Sequence, residues 1–128
     1  MRVLGWLGLI LGACVACAFA WAALPGGGGA PREIVLVARD MAFVVPGEES
    51  GPNPTIRLKA GERIRLVLEN RDPGMLHDVV APGLGIRTAR VGFTESDRQL
   101  LTVPRTPGEH DYFCTYHERM MRGTMVIE

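Results

Sequence analysis

Between Tyr112 and Thr124 the chain places a thiol, an imidazole and two thioethers within eight residues, Cys114 to Met121, and flanks them with apolar alternation on both sides. The alternation before and after these residues reads as two strands, and the short span between them as a tight loop. A soft metal ion that prefers a trigonal site is served by thiolate and imidazole, with a thioether on the axis. Cys114 and His117 are three residues apart and Met121 follows four later, so one loop can turn all of them onto one ion. A trigonal site needs a second imidazole, and His77, on an apolar segment well upstream, is the candidate. Alternation of His110, Tyr112 and Cys114 puts the thiol on an inward face. Gly123 then lets the backbone turn back into the last strand.

The chain has 128 residues, room for one domain behind a leader. From Val3 to Leu24 no residue is charged, and Arg2 supplies the positive end. That length suffices to cross a bilayer. Three readings stand side by side. Leu11-Gly12-Ala13-Cys14 resembles a lipidation site, Ala18-Phe19-Ala20 resembles a signal-cleavage site, and an uncleaved anchor keeps Arg2 in the cytoplasm. Residues 1–24 are therefore a signal peptide or membrane anchor, and residues 25–31 a glycine-rich linker. The domain occupies residues 32–128 and lies outside the cytoplasmic membrane, tethered, lipidated or secreted. Cys14 and Cys17 belong to the leader, which leaves Cys114 as the domain's lone thiol. In an oxidising compartment a lone thiol is expected to be buried or ligated. Lys plus Arg equals Asp plus Glu at 14 each, so charge gives no case for nucleic acid.

Along the domain, Ile34–Val37 is a β-branched strand continuing toward Phe43, and 46–54 is a loop. Thr55–Lys59 and Arg63–Leu68 alternate as half-buried strands, Met75–Val80 is a short strand bearing His77, and 86–97 has mixed periodicity. Leu100–Val103, His110–Cys114 and Thr124–Glu128 complete about seven short strands separated by turn signals, the pattern of an all-β Greek-key sandwich or barrel. Asn70 and Asp72 read as turn formers, His110 as a core histidine, and Met41, Met75 and Met125 as packing. Arg57, Lys59, Arg63 and Arg65 read as a solvated face.

Two segments carry a family resemblance. Gly108 through Val126, with Gly-x-x-x-Tyr-Phe-Cys-Thr-x-His and then Met-Arg-Gly-Thr, resembles the ligand loop of the cupredoxins, the blue copper proteins that include plastocyanin, amicyanin, pseudoazurin and azurin. Asn70 through Val80 resembles their first-histidine strand. The resemblance implies one type 1 copper ion held by His77, Cys114 and His117. Met121 is the axial ligand, as it precedes Arg122-Gly123-Thr124, and Met120 is the alternative, otherwise turned to packing. It implies one-electron transfer with redox partner proteins, no enzymatic turnover, and His117 as the electron port. Three departures stand out. Asp78 replaces a common asparagine and is placed to accept from Thr115, and its negative charge near the metal would lower the reduction potential by stabilising Cu(II). Tyr116 replaces a common proline, and Glu118 and Arg119 put charge where relatives show an apolar docking patch. The alternative is a carrier or buffer that delivers copper to an oxidase or serves resistance; a third reading is a subunit of a respiratory complex. A thiol protease would draw its histidine from a distant segment, zinc binds thioether poorly, and a dinuclear copper centre needs a second cysteine in this loop.

Overall fold

The computed structural model describes residues 29–47 and 51–128, so the apolar leader, Cys14, Cys17 and most of the glycine-rich linker lie outside the described residues. Among those residues no helix is long and apolar enough to cross a membrane. Nine strands form among the described residues: β1 (Arg32–Arg39), β2 (Ala42–Val44), β3 (Ile56–Leu58), β4 (Arg63–Asn70), β5 (Val80–Ala81), β6 (Ile86–Arg87), β7 (Ser96–Thr102), β8 (Gly108–Phe113) and β9 (Arg122–Ile127). One sheet has the order β2-β1-β4-β7, the other β3-β9-β8-β5-β6. Successive strands keep crossing from one sheet to the other, and β1 runs parallel to β4 as β3 does to β9. The expected all-β Greek-key sandwich is what forms.

Alternation builds the core. In β4, Ile64, Leu66 and Leu68 point inward with no exposure, while Arg63 points to solvent. Ile34, Leu36 and Ala38 of β1 meet them from the next strand, and Ile56, Leu58, Tyr112, Met125 and Ile127 line the opposing sheet. Full burial of each large aliphatic side chain contributes about 1.5–3 kcal/mol, offset by the entropy of ordering it. The outward basic residues are a solvated face in part ion-paired: Arg57 with Glu128 and Arg65 with Glu33. Arg32 adds a two-point bond to Glu62, at 2.7 and 3.0 Å, and reaches the Arg57 carbonyl at 2.9 Å. That fastens the start of β1 to the β3–β4 turn. With Arg32 as the main cause, Glu62 is held below its ordinary carboxylate range.

The first strand does not run on to Phe43. It ends at Arg39, and Asp40 and Met41 reverse the chain with φ of 53° and 59° before Ala42 pairs with Arg39. Two consecutive positive φ values are the pattern of a type I′ hairpin turn, normally given to Asn-Gly. For non-glycine residues each costs about 1–2 kcal/mol, so other groups must hold this turn. Asp72 does so, accepting from the Asp40 N–H at 2.6 Å and the Met41 N–H at 3.1 Å.

Tyr112 of β8 is the largest fully buried side chain among the described residues. Its ring lies 5.6 Å from that of Phe43, and its hydroxyl donates to the Pro54 carbonyl at 2.8 Å. Burial pushes the phenol well above its ordinary value. Gly123 sits directly opposite in β9, inside the strand and not at a turn. A Cβ there would lie 2.5 Å from the Tyr112 ring. Glycine is required by that close approach, not by turning. His110 is half-buried against the Gly83 backbone and is not a core residue.

Candidate metal centre

Cys114 follows the last residue of β8, and β9 begins at Arg122, so the loop between them spans neighbouring strands of one sheet. Its backbone is self-bonded. Cys114 N–H donates to the Met121 carbonyl at 3.0 Å and closes the loop. His117 N–H reaches the Cys114 carbonyl at 3.2 Å, and Met120 and Met121 N–H both reach the His117 carbonyl at 2.9 Å. This folding turns Cys114 and Met121 into the core with no exposure and leaves His117 half-buried. Met120 is not packed; it is 57% exposed, with its carbonyl held by Asn53 Nδ2 at 2.8 Å.

His77 is not on a regular strand. It makes a single bridge to Val91, donating its N–H to that carbonyl at 3.1 Å and accepting from the Val91 N–H at 2.8 Å. Beside this bridge Asn70, fully buried, holds the segment through its side chain. Asn70 Nδ2 donates to Met75 at 2.8 Å and to Val91 at 2.9 Å, while its Oδ1 accepts the Asp72 N–H at 2.8 Å. Only this last contact is the turn-forming bond expected from sequence. Asp72 then reaches His77 Nε2 at 3.0 Å.

The two segments converge. Ligand atoms of His77, Cys114 and His117 all lie within 4.8 Å of one another. His77 Nδ1 and His117 Nδ1 are each 3.7 Å from Cys114 Sγ, and the two rings are 5.0 Å apart. Two nitrogens and a sulfur at about 120° around one ion, with bonds of about 2.0 and 2.3 Å, would have N···S separations of about 3.7 Å. The donor spacing therefore fits one small ion. Imidazole, imidazole and thiol beside a buried methionine is the soft set that suits copper held for electron transfer.

Asp78 couples the halves. Its Oδ1 accepts the Thr115 N–H at 2.7 Å and its Oδ2 accepts the Thr115 hydroxyl at 2.6 Å. Burial pushes the Cys114 thiol above its ordinary value, against backbone N–H groups of Asp78, Tyr116 and His117 that favour the thiolate. Burial also lowers His77, more than the Asp72 carboxylate raises it. For Asp72 itself burial opposes the charge, yet the Met41 and Asp40 amides and the His77 ring together hold it below the ordinary range. Asp72 is the residue that sequence reasoning missed; an aspartate five positions before a buried histidine was the available signal.

Around the half-buried His117, Tyr116 and Met120 of the loop are exposed, as are Met75 and Leu76 beside His77 and Phe93 beyond the Val91 bridge. Glu118 is drawn into an ion pair with Arg122, which also binds Asp111 at 2.7 Å.

The family model for the cupredoxin-like domain matches residues 13–127. No curated protein matches the sequence significantly. Among solved structures the chain is similar to the multicopper oxidase McoA of the hyperthermophile Aquifex aeolicus, at 15% identity and a TM-score of 0.62, covering 76% of this chain and 26% of that one. It spans about a quarter of that oxidase's length. It is also similar to auracyanin A, a "blue" copper protein of the green thermophilic photosynthetic bacterium Chloroflexus aurantiacus, at 14% identity and 0.58, covering 77% and 100%. A mutant of amicyanin in its reduced Cu(I) form at pH 4 is 28% identical with a TM-score of 0.52, covering 79% and 87%.

Proposed function

Because the chain belongs to the cupredoxin-like family, we propose that it holds one type 1 copper ion between His77, Cys114, His117 and Met121 and carries single electrons between redox partner proteins. The observation that carries this reading is the placement of two imidazole Nδ1 atoms at 3.7 Å from one buried thiol. Copper supplies the one-electron couple Cu(I)/Cu(II).

The protein's part is to keep the donors still. His77 is fixed by the Val91 bridge and by Asp72, and the Cys114–Met121 loop by its own backbone bonds. Donors that do not move between oxidation states keep the reorganisation at each transfer small. Burying Cys114 excludes oxidants, and its raised thiol means that metal binding displaces a proton. His117 reaches solvent while His77 and Cys114 do not, so electrons pass at its ring edge. The exposed Met75, Leu76, Phe93, Tyr116 and Met120 give that face an apolar rim for a partner to dry on contact. The reading is of an electron carrier without substrate turnover, as the family resemblance implies.

The apolar Val3–Leu24 segment supports export with a membrane tether. Mass spectrometry of the membrane-extracted chain separates a lipid on Cys14 from cleavage near Ala20 and from an intact leader.

Adding copper to the purified domain is expected to give an intense visible charge-transfer band, a narrow-splitting EPR signal and reversible voltammetry. Cys114→Ser should abolish the band. Slow redox cycling with ready release of copper to a chelator would instead make the protein a copper carrier.

A further inference from the structure

Asp72 is 8% exposed, and its carboxylate gathers two backbone amides and a ring nitrogen from two parts of the chain. Oδ1 takes the Asp40 N–H at 2.6 Å; Oδ2 takes the Met41 N–H at 3.1 Å and faces His77 Nε2 at 3.0 Å. Its own N–H is held by Asn70 Oδ1 at 2.8 Å, so the side chain starts from a fixed backbone. Nothing in the metal centre requires a link to the β1–β2 hairpin, yet this single side chain makes one.

We propose that Asp72 is a positioning residue that fixes the His77 ring with its proton on Nε2 and its Nδ1 lone pair toward the Cys114 sulfur, using the β1–β2 turn as the anchor that aims the carboxylate. An ionised carboxylate only accepts. Facing two backbone amides that only donate, Asp72 has no reason to hold a proton, so the hydrogen between it and His77 belongs to the imidazole. Nδ1 is then left as a lone pair, 3.7 Å from Cys114 Sγ. The positive-φ turn at Asp40 and Met41 aims its two amides at one point. The hairpin therefore belongs to the metal centre through Asp72, although it contributes no ligand. The inference rests on the reading of His77 as a metal ligand only for its effect on copper; its effect on the ring is a property of the apoprotein.

The experiment is nitrogen-15 NMR of the His77 ring in apoprotein, for the wild type and Asp72→Asn. It is repeated in a background carrying Asp40→Asn and Met41→Gly, where an Asn-Gly pair holds the type I′ turn without help. The wild type is expected to show hydrogen on Nε2. In Asp72→Asn, where one carboxylate oxygen becomes an amide donor, the ring should shift toward hydrogen on Nδ1 in both backgrounds, and Cu(II) affinity should fall by roughly 10–100-fold. An unchanged ring would overturn the proposal. So would a ring change that disappears in the Asn-Gly background, which would mean that Asp72 serves only the turn. If the ring shifts as expected but even the wild type takes up no copper, the positioning role stands and the electron-carrier reading falls.

Discussion

The two segments that meet at the metal centre are held in opposite ways. The Cys114–Met121 loop is closed by hydrogen bonds among its own backbone groups and pinned at both ends by β8 and β9. The His77 segment has one bridge, to Val91, and relies heavily on side chains for the rest, those of Asn70, Asp72, Asp78 and Thr88. A loop stabilised by its own backbone carries its ligand geometry with it. A segment stabilised by buried polar side chains has that geometry only while every member of the network is satisfied.

The largest test of the contrast is Asn70→Ala. It removes a partner from the Met75 carbonyl and the Asp72 N–H, and one of two from the Val91 carbonyl, which keeps the His77 N–H. At about 1 kcal/mol for each hydrogen bond the cost should approach 3 kcal/mol, read from the denaturation midpoint of the apoprotein. Hydrogen exchange should accelerate around His77 and leave the Cys114 amide protected; equal acceleration in both segments would break the contrast. Gly123→Ala attacks the other side, forcing a methyl against Tyr112. We expect about 2 kcal/mol of overpacking destabilisation, with the disturbance now centred on β8, β9 and the loop.

Asp78→Asn addresses the residue shared by both segments. Removing its charge should favour Cu(I) and raise the reduction potential by roughly 1 kcal/mol per electron, seen by voltammetry. An unchanged or lowered potential would remove Asp78 from the list of tuning groups. The smallest expected effect lies away from both segments. Glu62 has its folded pKa below the ordinary 4.5 because of Arg32. Its contribution is present at neutral pH and is lost as pH falls from 4.5 through the lower folded value. Since Arg32 is half exposed, Glu62→Gln should cost only about 0.5 kcal/mol at pH 7, vanish in acid, and leave the copper spectrum unchanged.

The same contrast decides what could be read from the chain. Cys114, His117 and Met121 stand within eight residues, and the strands around them alternate, so loop and sheet pair were legible by local pattern. The alternation of β3 and β4 was equally plain. The type I′ turn at Asp40-Met41 was not, because no glycine marks it and its stabiliser lies more than 30 residues away. His77 was identifiable as a candidate ligand, but its segment looked like a strand because its residues are apolar. Asn70, whose buried side chain binds the Met75 and Val91 carbonyls, looks in sequence like any turn asparagine. Gly123 was noticed for the wrong reason, since the Tyr112 ring that excludes a side chain there comes from the facing strand.

Of the three clustered donors, only His117 touches solvent. On the proposed reading, ion entry, ion loss and electron passage would share one doorway. A redox partner seated over that ring would slow the escape of the metal as well as receive the electron, so the protein would keep its copper best while it is engaged and lose it fastest while it waits alone.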